Sequence, residues 1–251
     1  MIILKSPEEI RKIRVANQIV ARALNALKEM VKAGMTTAEL DRAAEDMIVA
    51  DGGRPSFKGY RGFPATLCAS VNSQVVHGIP GKRKLKEGDI ISLDLGAEYE
   101  GYYGDAAITV PVGGISAEAQ RLIDVTREAL YEGIGQAREG NHLSDISHAI
   151  QVHAEAAGFS VVMDFVGHGV GTKPHEDPQV PNYGPKGAGP ILKTGMVLAL
   201  EPMINAGAYE VKVLDDDWTV VTSDGGLSAH FEHSIAITRD GADVLSELAE
   251  R

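Results

Sequence analysis

Only one cysteine, Cys68, stands in the 251 residues, so no disulfide can close within the chain. No apolar run approaches the roughly eighteen residues that a membrane helix needs. The opening Met1-Ile2-Ile3-Leu4-Lys5-Ser6-Pro7 meets proline and paired glutamates before a signal-peptide core develops, so the expectation is a soluble cytoplasmic protein. Basic charge is scarce too: 24 Lys and Arg stand against 35 Asp and Glu, a formal net charge of -11. Nucleic acid and anionic membranes take most of their affinity from a basic face, so neither is expected as a partner. Repetitive Gly or Pro tracts are missing, which excludes collagenous and disordered readings, and no Ser/Gly- or Pro-rich linker divides the chain. What remains is a globular composition, 44% hydrophobic and 24% charged, with length enough to bury a large core.

What is present begins with helices. Ser6-Pro7-Glu8-Glu9 joins an N-cap serine, a proline at the first helical position and a glutamate at the third, and apolar Ile10, Ile13, Ile19, Val20, Ala23, Leu24 and Leu27 follow until Gly34. Thr36 and Glu39 make a second capping box ahead of a helix that stops at Asp51-Gly52-Gly53. Ser116 opens a third helix to about Arg138, and a shorter one runs over 144–157. Between and after them, 65–71, 90–97, 106–110, 161–166, 196–200, 218–222 and 231–238 read as strands. Gly34 to Leu40 and Gly140 to Ile146 align at an offset of 106, so the order of two helices and then strands occurs twice. Two similar α+β halves packed around one central sheet are expected, fused as one domain over 1–251 with a pseudo-repeat of about 1–111 and 112–251.

Four carboxylates break the apolar strands. Asp94 interrupts Ile90-Ile91-Ser92-Leu93-Asp94-Leu95, and Asp105 stands at the start of the next strand. With a two-residue hairpin loop, their separation of 11 places both on one face. Glu201 ends Val197-Leu198-Ala199-Leu200, and Glu232 leads into Ser234-Ile235-Ala236. Burying isolated charges is costly, so acids that share a face need shared protons or bound cations. Among the histidines, His142, His148 and His153 lie in or beside one helix and read as surface or packing residues. His168, between Gly167 and Gly169, is the one whose flanking glycines would allow close backbone approach and unusual dihedrals. His77 and His175 lie in loops bounded by glycine and proline. Four carboxylates and one imidazole make a chemically sensible dinuclear centre for Mn(II), Fe(II), Co(II) or Zn(II), with the ions roughly 3.5–4 Å apart.

These segments together resemble type I methionine aminopeptidases of the short bacterial form. The motifs are Lys5-Ser6-Pro7-Glu8-Glu9-Ile10, Ser70-Val71-Asn72, His77-Gly78-Ile79-Pro80, Gly167-His168-Gly169-Val170-Gly171, His175-Glu176-Asp177-Pro178, Glu201-Pro202-Met203, Trp218-Thr219-Val220 and Phe231-Glu232-His233, with Asp94 and Asp105 at their spacing. The resemblance implies the pita-bread fold, in which two pseudo-symmetric halves surround a central antiparallel sheet with helices on its outer face. It implies Asp94, Asp105, His168, Glu201 and Glu232 as ligands of two divalent ions (Co, Mn, Fe(II), Zn or Ni), with Asp105 and Glu232 bridging. The chain departs from the common pattern at Pro174, Phe63 and Tyr103.

The activity so implied is cotranslational removal of N-terminal methionine from nascent polypeptides with a small second residue, by hydrolysis with metal-activated water. Glu201 would move the proton, His175 would stabilise the oxyanion, and His77 would contact substrate near the scissile nitrogen. Tyr60, Phe63, Cys68 and Trp218, with His77 and His175, would bind the substrate. The partners implied are nascent N-termini, with possible transient ribosome association, and the expected state is a monomer. An Xaa-Pro peptidase of the same fold and a non-catalytic peptide-binding module are the rival readings. Structural calcium ligation is disfavoured, since no D-x-D-x-D-G loop occurs.

Overall fold

Two helix pairs with matching caps frame the fold. The computed structural model describes residues 1–248, and 249–251 of the expected span lie outside them. Helix α1 (Pro7–Met30) starts from Ser6, whose hydroxyl accepts the Glu9 N–H while the Glu9 carboxylate accepts the Ser6 N–H, and α2 (Thr37–Ala50) repeats this with Thr36 and Glu39. Helix α3 (Ala117–Gln136) is capped by Ser116. Helix α4 (Leu143–Ala156) begins one residue earlier than expected, because His142 is its cap residue and Asp145 accepts the His142 N–H at 2.8 Å. Ser144 is occupied elsewhere, accepting the Ala188 N–H at 2.6 Å. The first helices of the two pairs end at Met30 and Gln136 and the second helices at Ala50 and Ala156, so the offset of 106 read from the sequence recurs in the structure.

The strands are β1 (Arg54–Pro55), β2 (Leu67–Val71), β3 (Gln74–Val76), β4 (Ile90–Tyr99), β5 (Tyr102–Pro111), β6 (Ser160–Val161), β7 (Gly167–Gly169) and β8 (Glu176–Val180). They continue with β9 (Val197–Leu200), β10 (Met203–Asn205), β11 (Val211–Val213), β12 (Val220–Thr222), β13 (Ser228–His230), β14 (Glu232–Thr238) and β15 (Gly241–Val244). Nine of them form one antiparallel sheet, in the order β1-β4-β5-β14-β9-β7-β8, with β2 against β4 and β15 against β14. Two three-stranded sheets, β13-β10-β6 and β11-β12-β3, complete it.

Several expected strands start later than the sequence suggests, 65–71 only at Leu67 for example, and two differ for a visible reason. The run 161–166 is not continuous, because β6 pairs with β10 in a small sheet and β7 pairs with β9 in the large one. The chain must leave one sheet and join the other between them, and it bends at Met163 and Asp164. The expected strand 218–222 starts only at Val220, since the Trp218 and Thr219 N–H groups both donate to the Asp216 carboxylate at 3.0 and 2.7 Å.

Each helix pair has its own core behind the large sheet. Ile19, Leu27, Leu40 and Ile48 from the first pair pack with Leu93 and Leu95 of β4, and Leu122, Leu130, Ile146 and Ile150 from the second pack with Leu198, Leu200 and Ile235. Alternation along the strands then sends Asp94 to the opposite face from Leu93 and Leu95. That opposite face carries the site.

Candidate metal centre and substrate cleft

The β4–β5 hairpin closes through Glu100 and Gly101, both left-handed at φ 49 and 83, between the paired Tyr99 and Tyr102. This is the two-residue loop expected, and its mirror-image turn matches the twist of the strands. The register pairs Gly96 with Asp105 and Asp94 with Ala107, so the two acids share a face as diagonal neighbours. In the next ladder Glu232 pairs with Ala107, which puts a third carboxylate on that face. Further across, Ser234 pairs with Ala199, and Ala199 pairs with His168. Glu201 lies two residues beyond Ala199. All five residues named from the sequence as candidate ligands thus fall on one side of five neighbouring strands, with Glu201 just past the end of β9.

Asp105, His168 and Glu232 are buried, each with a ligand-type atom within 4.8 Å of the others. His168 Nε2 lies 3.3 Å from Glu201 Oε1 and 4.0 Å from Asp105 Oδ2. The other ring nitrogen, Nδ1, is 2.9 Å from the Gly169 carbonyl, which can only accept, so a neutral ring turns its Nε2 lone pair toward the carboxylates. Asp94 Oδ1, Asp105 Oδ1 and Glu232 Oε1 are buried without a hydrogen-bond donor. Burial pushes the Asp94 carboxyl up to about 7, partly opposed by the Cys68 thiol. Asp105 is driven well above its ordinary value by burial and then by the charges of Asp94 and Glu201, and Glu232 by burial and then by those of Asp105, Glu201 and Asp94. Glu201 is raised by burial and by Asp94. Acceptor atoms aimed at one another in this way need protons or a cation between them, and an oxygen-rich set with one imidazole suits a divalent transition metal.

The glycines beside His168 act by making space. Neither has a left-handed φ, contrary to the expectation of unusual dihedrals. A Cβ at Gly167 would sit 2.3 Å from the Ala199 carbonyl oxygen, and one at Gly169 would sit 2.3 Å from that of Asp177. Bare backbone on both sides lets β7 approach its neighbours and hold the imidazole at the cluster.

The cluster forms the floor of a cleft of about 770 Å³ that also includes His77, His175, Tyr60, Phe63, Cys68 and Trp218. His175 is open to this cleft between Tyr60, stacked at 5.3 Å between ring centroids, and His168 at 4.2 Å. Desolvation lowers its imidazole pKa, with further lowering from His168, Arg61 and His77. His77 stands at a left-handed φ of 58 with its ring edge-on to Trp218 at 5.9 Å and Phe165 at 5.7 Å, and burial lowers its pKa to about 4. Phe63, Ala65 and Cys68 form a small apolar cluster closed by Trp218, whose ring meets Phe63 at 5.1 Å. Cys68 pairs with Asp94 in the β2–β4 ladder, so this slot adjoins the carboxylates. Tyr60 stands apart from the slot, against His175.

The family model for metallopeptidase family M24 matches residues 11–239. The chain belongs to this family. It is 56% identical over 248 residues to methionine aminopeptidase 1 of Bacillus subtilis, covering 99% of this chain and 100% of that protein. The crystal structure of the methionine aminopeptidase from Thermotoga maritima superposes with a TM-score of 0.97 at 46% identity, covering 98% of this chain and 100% of that one. The prolidase from Pyrococcus horikoshii has a TM-score of 0.80 at 23% identity, covering 99% of this chain and 65% of that one, and so shares the fold alone. The fold is the expected pita-bread fold, the activity is that of an M24 methionyl aminopeptidase, and the buried Asp/His/Glu cluster suits the divalent metal use of a metallopeptidase. Among the described residues no helix is long and apolar enough to cross a membrane.

Sequence reasoning passed over several residues that support this M24 site. Asn17 is fully buried on α1, and its side-chain oxygen accepts the Asp105 N–H at 3.2 Å while its amide donates to the Ile13 carbonyl at 3.0 Å. Its signal was an amide on an otherwise apolar helical face. Phe165, edge-on to His77, gave no signal beyond its hydrophobicity. Tyr103, which the sequence marked only as a departure from the common pattern, joins the cluster of Ile13 and Val170 and donates its backbone N–H to Gly171 at 2.9 Å.

Proposed function

We propose that the chain, acting as one catalytic domain of two pseudo-repeated halves, releases methionine from new polypeptides whose second residue is small. The observation that carries this is a buried cluster of carboxylates and one imidazole at the base of a cleft, with an apolar slot against it. Asp94, Asp105, His168, Glu201 and Glu232 would hold two divalent ions, with Co, Mn, Fe(II), Zn and Ni all compatible with this donor set. Bound there, the ions would lower the pKa of water toward neutrality and polarise the scissile carbonyl.

The chain's own groups supply the rest. Glu201, at the edge of the cluster with one oxygen facing His168, is placed to accept a proton from water and deliver it to the leaving amine. His175 stays neutral at physiological pH, so one ring N–H can donate to the oxyanion as charge builds there. His77, likewise neutral, contacts the substrate near the scissile nitrogen. The slot of Phe63, Cys68 and Trp218 takes the methionine side chain, and Tyr60 holds His175 by stacking. On this reading the enzyme acts in the cytoplasm, as a monomer, with transient access to nascent N-termini at the ribosome.

Mass spectrometry of Met-Ala- and Met-Leu-starting peptides, after chelation and across a metal series, tests this reading. Release of methionine from the Met-Ala peptide alone, and only after metal is restored, is the expected result. Cleavage of Xaa-Pro peptides instead would favour the prolidase-like reading, and peptide binding without cleavage would favour the binding module.

A further inference from the structure

Glu176 directly follows His175, and its carboxylate is fastened on both sides. One oxygen lies 2.6 Å from Lys5 Nζ. The other accepts the backbone N–H groups of Thr172 and Lys173 at 2.8 and 3.2 Å and the Thr172 hydroxyl at 3.3 Å. The carboxylate thus spans the loop that carries His175. Lys5 is fixed in turn: its ammonium donates to the Ile3 carbonyl at 3.1 Å, and its backbone N–H donates to Gly195 at 2.7 Å. Both side chains are buried, at 3% exposure for Lys5 and 7% for Glu176.

Space for the pair is built into the backbone. A Cβ at Gly171 would lie 2.3 Å from Lys5 Cε, 2.9 Å from its Nζ and 2.8 Å from Glu176 Oε1. Gly171 therefore leaves room for the ammonium to reach the carboxylate. Burial alone would raise the Glu176 carboxyl, but the Lys5 ammonium and the Lys173 and Thr172 N–H groups outweigh it and hold it below the ordinary glutamate range.

A buried ion pair is a poor source of net stability, since its desolvation cost rivals its attraction and an apolar pair of similar volume often serves as well. Its directional bonds can set a geometry that apolar contacts would leave loose. The loop needs this, because Thr172, Lys173 and His175 are all exposed on the cleft and gain little from apolar packing. His175 must also stay between Tyr60 and His168.

We propose that the buried Lys5–Glu176 ion pair is the positioning device for His175, tying the N-terminal segment to loop 172–175 so that the imidazole keeps its place over the metal cluster. The inference rests on the role given to His175 above. It makes Lys5, Gly171 and Glu176 positioning residues, which act on the reaction through His175.

The test is steady-state kinetics of the full-length, metal-loaded enzyme on a Met-Ala-starting peptide, with melting temperature and bound metal measured in parallel. Lys5→Met removes the charge, Gly171→Ala displaces the ammonium while keeping both charges, and Lys5→Arg restores a cation. The first two should lower kcat about 10- to 100-fold with KM and metal content nearly unchanged, and Lys5→Arg should recover most of the rate. In a His175→Ala background neither should lower kcat further, although each still costs melting temperature. An unchanged kcat in His175→Ala alone would overturn the role of His175. If His175→Ala is slow but Lys5→Met slows it again by the same factor, the positioning inference fails while the role of His175 stands. Should Lys5→Met not fold, Gly171→Ala decides, and wild-type kcat in that folded variant sinks the inference.

Discussion

Ala107 stands directly across from Asp94 in the β4–β5 ladder. In the next ladder it stands across from Glu232, so its side chain puts one methyl between two carboxylates at a position with 1% exposure. Ala107→Val would fill the space in which a cation must sit. Metal affinity should fall by about 10- to 100-fold, the scale typical of disturbed ligand surroundings, with far-UV circular dichroism unchanged. Calorimetric titration checks this, and wild-type affinity in the variant would mean that the cation sits elsewhere.

Glu201→Gln keeps the shape of the side chain and removes its basicity. Turnover should drop by about 10²- to 10⁴-fold with the fold intact. Elemental analysis alongside kinetics separates a lost proton carrier from a lost ligand. A variant that turns over at near-normal rate takes Glu201 out of the proton-transfer role.

Removing metal exposes the strain among the acids. The Asp94 pKa in the folded, metal-free chain is about 7, raised from 3.8, so between those values the folded state holds a proton that the unfolded chain releases. That contribution is complete below about pH 4 and is lost as pH rises through about 7. Asparagine has no charge to bury. Metal-free Asp94→Asn should therefore be more stable than the metal-free parent at pH 8, by roughly 2–4 kcal/mol, with the gap closing toward pH 5. Buried histidines whose pKa is lowered destabilise both proteins alike on acidification, so the difference reports the Asp94 charge together with its repulsion of Asp105, Glu201 and Glu232. Denaturant melts at the two pH values decide, and a gap that grows on acidification would contradict the burial argument.

Phe63 and Trp218 close the slot beside Cys68. Phe63→Ala should cost about 3–5 kcal/mol of stability through the cavity it leaves. In the parent, shape alone should favour methionine over leucine by about 10- to 200-fold, and the enlarged slot should reduce this to a few-fold. The ratio of kcat/KM for Met-Ala and Leu-Ala peptides measures the change, and an unaltered ratio would move the methionine site away from Phe63.

The carboxylates were readable because each interrupts an apolar strand, and the same-face placement of Asp94 and Asp105 followed from strand period and loop length. The first three helices were readable from their caps, and the fourth was not, because its cap residue is His142. The strand at 161–166 misled because local pattern does not tell which sheet a residue joins, and the chain changes sheets between Val161 and Gly167. The glycines around His168 were visible, but whether a glycine supplies a dihedral or a gap depends on the backbone that passes it. Lys5 and Glu176 are 171 residues apart, and no local signal links them.

Behind the sheet lie two hydrophobic cores, one under each helix pair. The candidate ligands divide along the same line, with Asp94 and Asp105 on strands of the first half and His168, Glu201 and Glu232 on the second. A cation gripped by both sets would be a cross-link between folding units. Chelation would then cost cooperativity as well as activity, and the two halves of the metal-free chain would be free to melt at separate temperatures.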